Sequence, residues 1–147
     1  MIRLLVALLL FTLISLAQAK ELQKNEITIF NKQGENYRFI VDVAEAEEDK
    51  ARGLMYRKTL AANSGMLFLH ERESPQLMWM KNTLIPLDML FIDKTGKITR
   101  IVERTIPRSL NTISSRGKVL AVLELRGGTV SKLGIKTGDK VKHSAFK

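Results

Sequence analysis

Eight short segments rich in β-branched and aromatic residues follow one another along the chain, and they constrain its fold more than any other feature. They are Glu26–Asn31, Tyr37–Val43, Gly65–His70, Leu77–Lys81, Asp88–Asp93, Ile98–Arg104, Val119–Leu125 and Lys140–His143. Such segments, separated by turn residues, are typical of β-strands. Helix-forming composition is confined to Ala44–Leu54 and Thr129–Leu133. The sequence therefore predicts a mainly β fold, a single antiparallel barrel or sandwich domain with one or two short helices.

Turn residues join neighbouring segments into predicted hairpins. Lys32–Glu35 should close the first hairpin and Asp93–Lys97 another, because their glycines tolerate the positive φ of tight turns. Thr105–Lys118, by contrast, shows little hydrophobic pattern and is expected to form a long loop. Loops of this length are either functional or mobile, and the sequence leaves both interpretations open.

The first residues of the chain are predicted to be a cleaved signal peptide. A basic start, Met1–Arg3, precedes the apolar run Leu4–Leu16 and the small-x-small sequence Ala17–Ala19. The apolar run is too short for a membrane-spanning helix, which needs roughly 20 residues. We therefore expect cleavage after Ala19 and a periplasmic or secreted mature domain, residues 20–147, without a transmembrane segment.

The charge of the chain is divided unevenly. Residues 20–50 contain five Lys and Arg against eight Asp and Glu, whereas residues 51–147 contain eighteen against seven. An exported protein is not expected to meet nucleic acid, so an anionic envelope component is the natural partner of such a basic surface. The alternative is that scattered Lys and Arg only solvate the surface, since no block of like charge occurs.

Recognisable catalytic and metal-binding motifs are missing from the sequence. The absence of cysteine excludes disulfides, thiol catalysis and Cys-ligated metals. No zinc-binding His pair, nucleophile elbow or glycine-rich phosphate loop occurs. The sequence thus favours a non-enzymatic protein and predicts no cofactor.

The stretch from Leu77 to Ile92 carries the densest information about a site. Two apolar segments flank Asn82–Pro86, which predicts an antiparallel hairpin with Lys81 opposite Asp88. In that register Trp79 lies opposite Leu90 and Leu77 opposite Ile92. A charge pair beside a tryptophan can orient a polar ligand, or it can be purely structural. The candidate ligand- or partner-binding residues are Trp79, Lys81, Asn82, Thr83 and Asp88.

Two other functions remain open at this point. Lys81 or Asp88 could act as acid or base in an enzyme that modifies an envelope component, which requires a shifted pKa in a cleft. Met78, Met80 and His70 could bind Cu(I), because thioether and imidazole groups suit that ion. Methionine is equally a common core residue, so packing alone could explain Met78 and Met80.

Six sequence blocks are similar to a known family. They are Gly53-Leu54-Met55-x-Arg57, Gly65-Met66-Leu67-Phe68, Trp79-Met80-Lys81-Asn82-Thr83, Pro86-Leu87-Asp88, Val122-Leu123-Glu124-Leu125 and Gly134-Ile135-Lys136-x-Gly138-Asp139. In this order they resemble the DUF192 family of uncharacterised, often exported bacterial and archaeal proteins. The resemblance covers about residues 26–143 and implies one mainly β domain. It implies no activity.

Three further candidate residues lie near the end of the first predicted helix: Arg52, Met55 and Arg57. They could cover the opening of the predicted binding pocket. The alternative is a helix terminus at which arginine interacts with the last carbonyl groups. Together these observations predict a binding module for a small ligand or an envelope protein. Its working surface would be the Trp79–Asp88 hairpin and the Thr105–Lys118 loop.

Overall fold

The computed structural model describes residues 21–147 as a strand-rich fold with two short helices. The strands are β1 (Lys24–Phe30), β2 (Asn36–Ala44), β3 (Ser64–Met78), β4 (Leu87–Ile92), β5 (Ile98–Val102), β6 (Ile113–Arg126) and β7 (Lys140–Lys142). The helices are α1 (Glu47–Arg52) and α2 (Thr129–Leu133). The mainly β prediction is confirmed, while the predicted leader, residues 1–19, lies outside the described residues. Within residues 21–147 no helix is long and apolar enough to cross a membrane.

The strands form one curled sheet in the order β5-β4-β6-β3-β2-β1-β7. The curl brings its two edges together, since a bridge joins Lys97 to Lys140 and the Ile98 N–H donates to the Asp139 carbonyl at 3.0 Å. All strand pairs are antiparallel except β2 and β3, which run parallel. The connection through α1 allows this, because parallel neighbours need a crossover and cannot be joined by a tight turn.

Both hairpins with a predicted glycine turn are confirmed. β1 pairs with β2 around Gly34, and β4 pairs with β5 around Gly96. Gly96 has a φ of +78°, and a Cβ there would lie 2.4 Å from the Val141 carbonyl oxygen. Glycine is thus required at this turn both by its conformation and by the close approach of β7.

The predicted hairpin around Asn82–Pro86 is wrong, because β6 lies between β3 and β4 and pairs with both. Leu77 lies opposite Ser114, and Asp88 lies opposite Leu125. The reason is the apolar run of β6, which suits a central strand with both faces covered. The predicted loop Thr105–Lys118 is also shorter than expected, since Ile113 begins β6.

The sheet has an apolar cluster on each face. One cluster lies inside the curl and receives buried side chains from all seven strands. The other lies on the outer face of β3, β4 and β6, where Leu54, Leu60 and Met80 cover it. These three residues belong to the connections before β3 and after it, so the outer cluster fixes the positions of loops that carry the candidate residues.

Candidate functional site

Three segments meet above the outer cluster and form one continuous surface. We call it the loop surface, and it comprises residues 53–62, 77–87 and 104–118. Three main-chain hydrogen bonds join the segments, from the Tyr56 N–H to Asn82 O (2.9 Å), from the Met80 N–H to Ser109 O (3.0 Å) and from the Arg108 N–H to Thr83 O (3.0 Å). The two segments that the sequence assigns to one working surface therefore lie side by side, at residues 80–83 and 108–109.

The end of β3 presents alternate side chains to solvent. Leu77, Trp79 and Lys81 point outwards, whereas Met80 is fully buried in the outer cluster and anchors the segment. The Lys81 Nζ lies 5.0 Å from the centre of the Trp79 ring, a cation–π contact. The alternation of an extended chain thus produces a stripe in which an apolar side chain, an aromatic ring and a charge are neighbours.

Exposed apolar side chains concentrate on the loop surface. Five of the seven large hydrophobic residues that are exposed within residues 21–147 belong to it: Tyr56, Leu77, Trp79, Ile106 and Leu110. Ile106 is the most exposed of them, at 73%. Such a concentration differs from single, scattered apolar residues, which are normal on any protein surface.

The segments of the same surface are rich in basic residues. It contains seven Lys and Arg and no Asp or Glu; the basic residues are Arg57, Lys58, Lys81, Arg104, Arg108, Arg116 and Lys118. The uneven charge division along the sequence therefore becomes a local charge in the folded chain. A surface of one sign attracts an anionic partner at long range.

Backbone strain is also confined to the loop surface. All five non-glycine residues with positive φ among residues 21–147 belong to it: Tyr56, Asn82, Arg104, Arg108 and Arg116, with φ between 46° and 63°. Left-handed conformations are unfavourable for residues that carry a Cβ. They persist where the surrounding contacts impose them, and they cluster at functional sites.

A charged cleft of about 490 Å³ adjoins the loop surface. Arg52, Met55 and Arg57 line it, so the structure brings these three predicted residues together. The Arg57 Nη2 donates to Oδ2 of the largely buried Asp42 at 2.6 Å. The Asn82 Nδ2 lies 3.9 Å from the Met55 Sδ, which links the cleft to the candidates of the 79–88 region. A wider depression of about 600 Å³ on β1, β2 and β7 contains none of the predicted residues.

The predicted ion pair between Lys81 and Asp88 is wrong. Asp88 is fully buried, and its carboxylate accepts main-chain N–H groups of Arg104 (2.8 Å), Gly128 (3.1 Å) and Val130 (2.8 Å). It thereby satisfies unpaired N–H groups at the start of α2 and holds that helix against β4. These bonds hold elements of the fold together, and among the described residues none joins Asp88 to Lys81.

Thr83 is buried as well and turns towards its own segment. Its hydroxyl donates to the Lys81 carbonyl at 3.1 Å, and its N–H donates to the Met80 carbonyl at 3.0 Å. Thr83 therefore shapes the turn that presents Lys81 and Asn82. Of the five candidates from the 79–88 region, Trp79, Lys81 and Asn82 remain available for a partner.

The three proposed Cu(I) ligands do not converge. His70 and Met78 are eight positions apart on β3, about 26 Å at about 3.3 Å per residue. The Met80 Sδ accepts a hydrogen bond from the Thr105 hydroxyl at 3.0 Å. His70 lies 3.5 Å from the Lys50 ammonium, which repels a metal cation. The copper interpretation is wrong, and Met80 is a core residue.

Sequence reasoning missed Glu124 as an unusual residue. It lies on β6 between Met66 and Met89 and is only 4% exposed. Burial raises the pKa of its carboxyl to about 8. The sequence did indicate that Glu124 is buried. All the remaining residues of Val119–Leu125 are apolar, and a strand covered on both faces buries its polar residues as well.

Comparison with known proteins places the chain in a family. The model of the DUF192 family, described as Uncharacterized ACR, matches residues 28–143. A solved protein of Sinorhizobium meliloti, described provisionally as a transcription regulator, has 38% sequence identity and a TM-score of 0.86, over 88% of this chain and 100% of its own. A solved protein of unknown function from Novosphingobium aromaticivorans has 35% identity and a TM-score of 0.80, over 83% of this chain and 86% of its own. No curated protein matches the chain.

Proposed function

The chain belongs to the DUF192 family, and from that premise we propose that it is an exported binding module of the cell envelope that engages its partner through the loop surface. The observation that carries this proposal is that three independent properties occur in the same three segments of the chain. Exposed apolar side chains, a purely basic charge and all the left-handed non-glycine residues of the described chain occur together there.

Each property supports binding for its own physical reason. Exposed apolar side chains release ordered water when a partner covers them. A basic surface accelerates the approach of an anionic partner. A strained backbone held by the Tyr56–Asn82 and Thr83–Arg108 hydrogen bonds fixes the loops before the partner arrives, which lowers the entropy cost of binding.

Mapping the binding surface by NMR tests this proposal. Residues 20–147 contain all seven strands and both apolar clusters, so this chain carries the whole described fold. Anionic polysaccharide, peptidoglycan fragments and anionic lipid nanodiscs would be added in turn while amide resonances and Trp79 emission are followed. We expect shifts in residues 53–62, 77–87 and 104–118. Shifts confined to the depression on β1, β2 and β7 would contradict the proposal.

Export is proposed from residues 1–19 and is tested separately. Full-length protein would be expressed in a bacterial host, and its mass and compartment would be determined. We expect loss of residues 1–19 and recovery of a chain beginning at Lys20 from the periplasm or medium. An intact chain beginning at Met1 in the cytosol would refute the export proposal and leave the loop surface unaffected.

A further inference from the structure

We infer that the loop surface docks on the anionic surface of a lipid bilayer, with its apolar side chains in the interface between headgroups and acyl chains. This inference rests on the proposed function, because it names the partner of the same surface. The occupant follows from the shape of the surface, its charge and the kinds of side chain it exposes.

The apolar side chains project from separate segments of the loop surface. Leu77 and Trp79 extend from the end of β3, whereas Ile106 and Leu110 extend from the connection between β5 and β6. Neither the cleft of about 490 Å³ nor the depression of about 600 Å³ is lined by any of them. A folded protein or peptide partner needs a complementary shape, but a fluid bilayer adapts to projecting side chains.

The side-chain types match the depth profile of a membrane interface. Trp79 and Tyr56 are the residue types enriched at the level of the headgroups, and Ile106 and Leu110 suit the acyl boundary beneath it. The Lys81 ammonium lies over the Trp79 ring at 5.0 Å. A ring inserted at headgroup depth would therefore place this ammonium among lipid phosphates.

The charge distribution favours anionic lipid over a zwitterionic surface. Arg57 pairs with Asp42 at 2.6 Å and Arg104 lies 3.9 Å from Glu103. The other five basic residues of the loop surface are exposed and have no acidic partner within residues 21–147: Lys58, Lys81, Arg108, Arg116 and Lys118. Each Lys or Arg held near an anionic bilayer adds to the attraction, which decays within a Debye length. Duplex nucleic acid would use the same charges, but exposed Ile106 and Leu110 contribute nothing to contacts with phosphates.

Sedimentation with vesicles tests the inference. Residues 20–147 would be mixed with phosphatidylethanolamine vesicles with and without phosphatidylglycerol, at low and high salt. We expect binding only to vesicles with phosphatidylglycerol, loss of binding at high salt, and a blue shift of Trp79 emission on binding. Trp79 is the only tryptophan, so the shift reports directly on this surface.

Matched variants separate the loop surface from general charge. Lys81→Gln with Arg108→Gln should weaken vesicle binding on the order of tenfold or more. Ile106→Ser should weaken it without changing its salt dependence. The control, Arg38→Gln with Lys142→Gln, removes two exposed cations from β2 and β7 and should leave binding unchanged. Thermal unfolding of each variant verifies that the fold is retained.

Four outcomes would overturn the lipid inference. If the control variant, Arg38→Gln with Lys142→Gln, weakened vesicle binding as much as Lys81→Gln with Arg108→Gln, the total charge of the protein alone would drive binding. The protein could bind duplex DNA more tightly than vesicles and lose this binding in the double variant Lys81→Gln with Arg108→Gln. That result would identify nucleic acid as the partner. A Trp79 shift with a soluble envelope fragment but not with vesicles would refute the bilayer and retain the proposed function. Vesicle binding unaffected by all loop-surface variants would refute both.

Discussion

Glu124 is the residue whose chemistry departs furthest from its ordinary behaviour. A carboxyl that is 4% exposed among apolar side chains loses most of its hydration, and burial raises its pKa to about 8. No side-chain hydrogen bond to it occurs within residues 21–147 of the structure. Burial thus favours the protonated, neutral form of Glu124 at neutral pH.

The protonation of Glu124 makes the stability of the fold depend on pH. The unfolded carboxyl has a pKa of 4.5 and the folded one of about 8, so the folded state binds the extra proton between these values. Raising the pH therefore lowers the free energy of unfolding, by roughly 1 kcal/mol between about pH 7 and about pH 9. Burial lowers the pKa values of His70 and His143, which places their titration below this window.

Urea unfolding of wild type and Glu124→Gln at both pH values measures this effect. We expect the variant to lose the decrease, because its amide does not ionise. Glu71→Gln, which changes an exposed residue of β3, is the control and should keep it. The same pH dependence in Glu124→Gln as in wild type would show that another group causes it.

At the scale of single residues, the sequence identified candidate site residues but did not predict which groups surround them in the fold. Trp79, Lys81 and Asn82 lie together on one accessible segment, as neighbours in the sequence can be expected to do. The role of Asp88 could not be read from its position, because its three N–H donors come from residues 16 to 42 positions away. A carboxylate is placed by its partners, and those partners are fixed only by the complete fold.

Among the structural elements, the local ones were predictable and the distant pairings were not. The turns at Lys32–Glu35 and Asp93–Lys97 contain the glycine that their conformation needs, so each hairpin is encoded in a few adjacent residues. The segment Asn82–Pro86 also resembles a hairpin turn. It instead connects β3 to β4 across the position of β6, which lies between them in the sheet. This connection depends on β6, a strand that follows later in the sequence.

Close contact between β3 and β6 gives a prediction at this scale. A Cβ at Gly65 would lie 2.5 Å from the Glu124 carbonyl oxygen and 2.8 Å from the Leu125 side chain. Gly65→Ala should therefore force the two central strands apart and lower the free energy of unfolding by about 1–3 kcal/mol. Denaturant unfolding measures the change.

Gly117→Ala provides the matched control for this substitution. Gly117 lies on β6, has no positive φ, and a Cβ at this position would have no other atom within 4 Å. We expect its stability to stay within about 0.5 kcal/mol of wild type. Equal effects of the two substitutions would mean that strand propensity, and not the approach of β3 to β6, determines the result.

At the scale of the whole molecule, the meeting of the two sheet edges determines which amides are protected. The N–H groups of Ile98, Gly138 and Val141 donate to carbonyl oxygens across the junction at 2.8 to 3.0 Å. If these bonds close the curl in solution, the three amides should exchange with deuterium as slowly as amides of central strands. Exchange measured by NMR tests this expectation.

The exposed turn at Gly34 supplies the comparison. Its N–H donates to the Asn31 carbonyl at 3.1 Å but lies in a solvent-exposed hairpin, so we expect rapid exchange. Equally rapid exchange at Ile98 and Val141 would show that the sheet is open between β5 and β7.

Because β6 separates β3 from β4, neither strand meets its main partner until synthesis has passed Arg126. Before that point the growing chain can form only the β1–β2 and β4–β5 hairpins as antiparallel pairs. Pairing Gly65 with Leu125 brings together residues sixty positions apart, and folds rich in such distant pairings typically fold in about milliseconds to seconds. A chain that threads through a narrow channel would therefore stay unfolded until nearly its whole length had emerged.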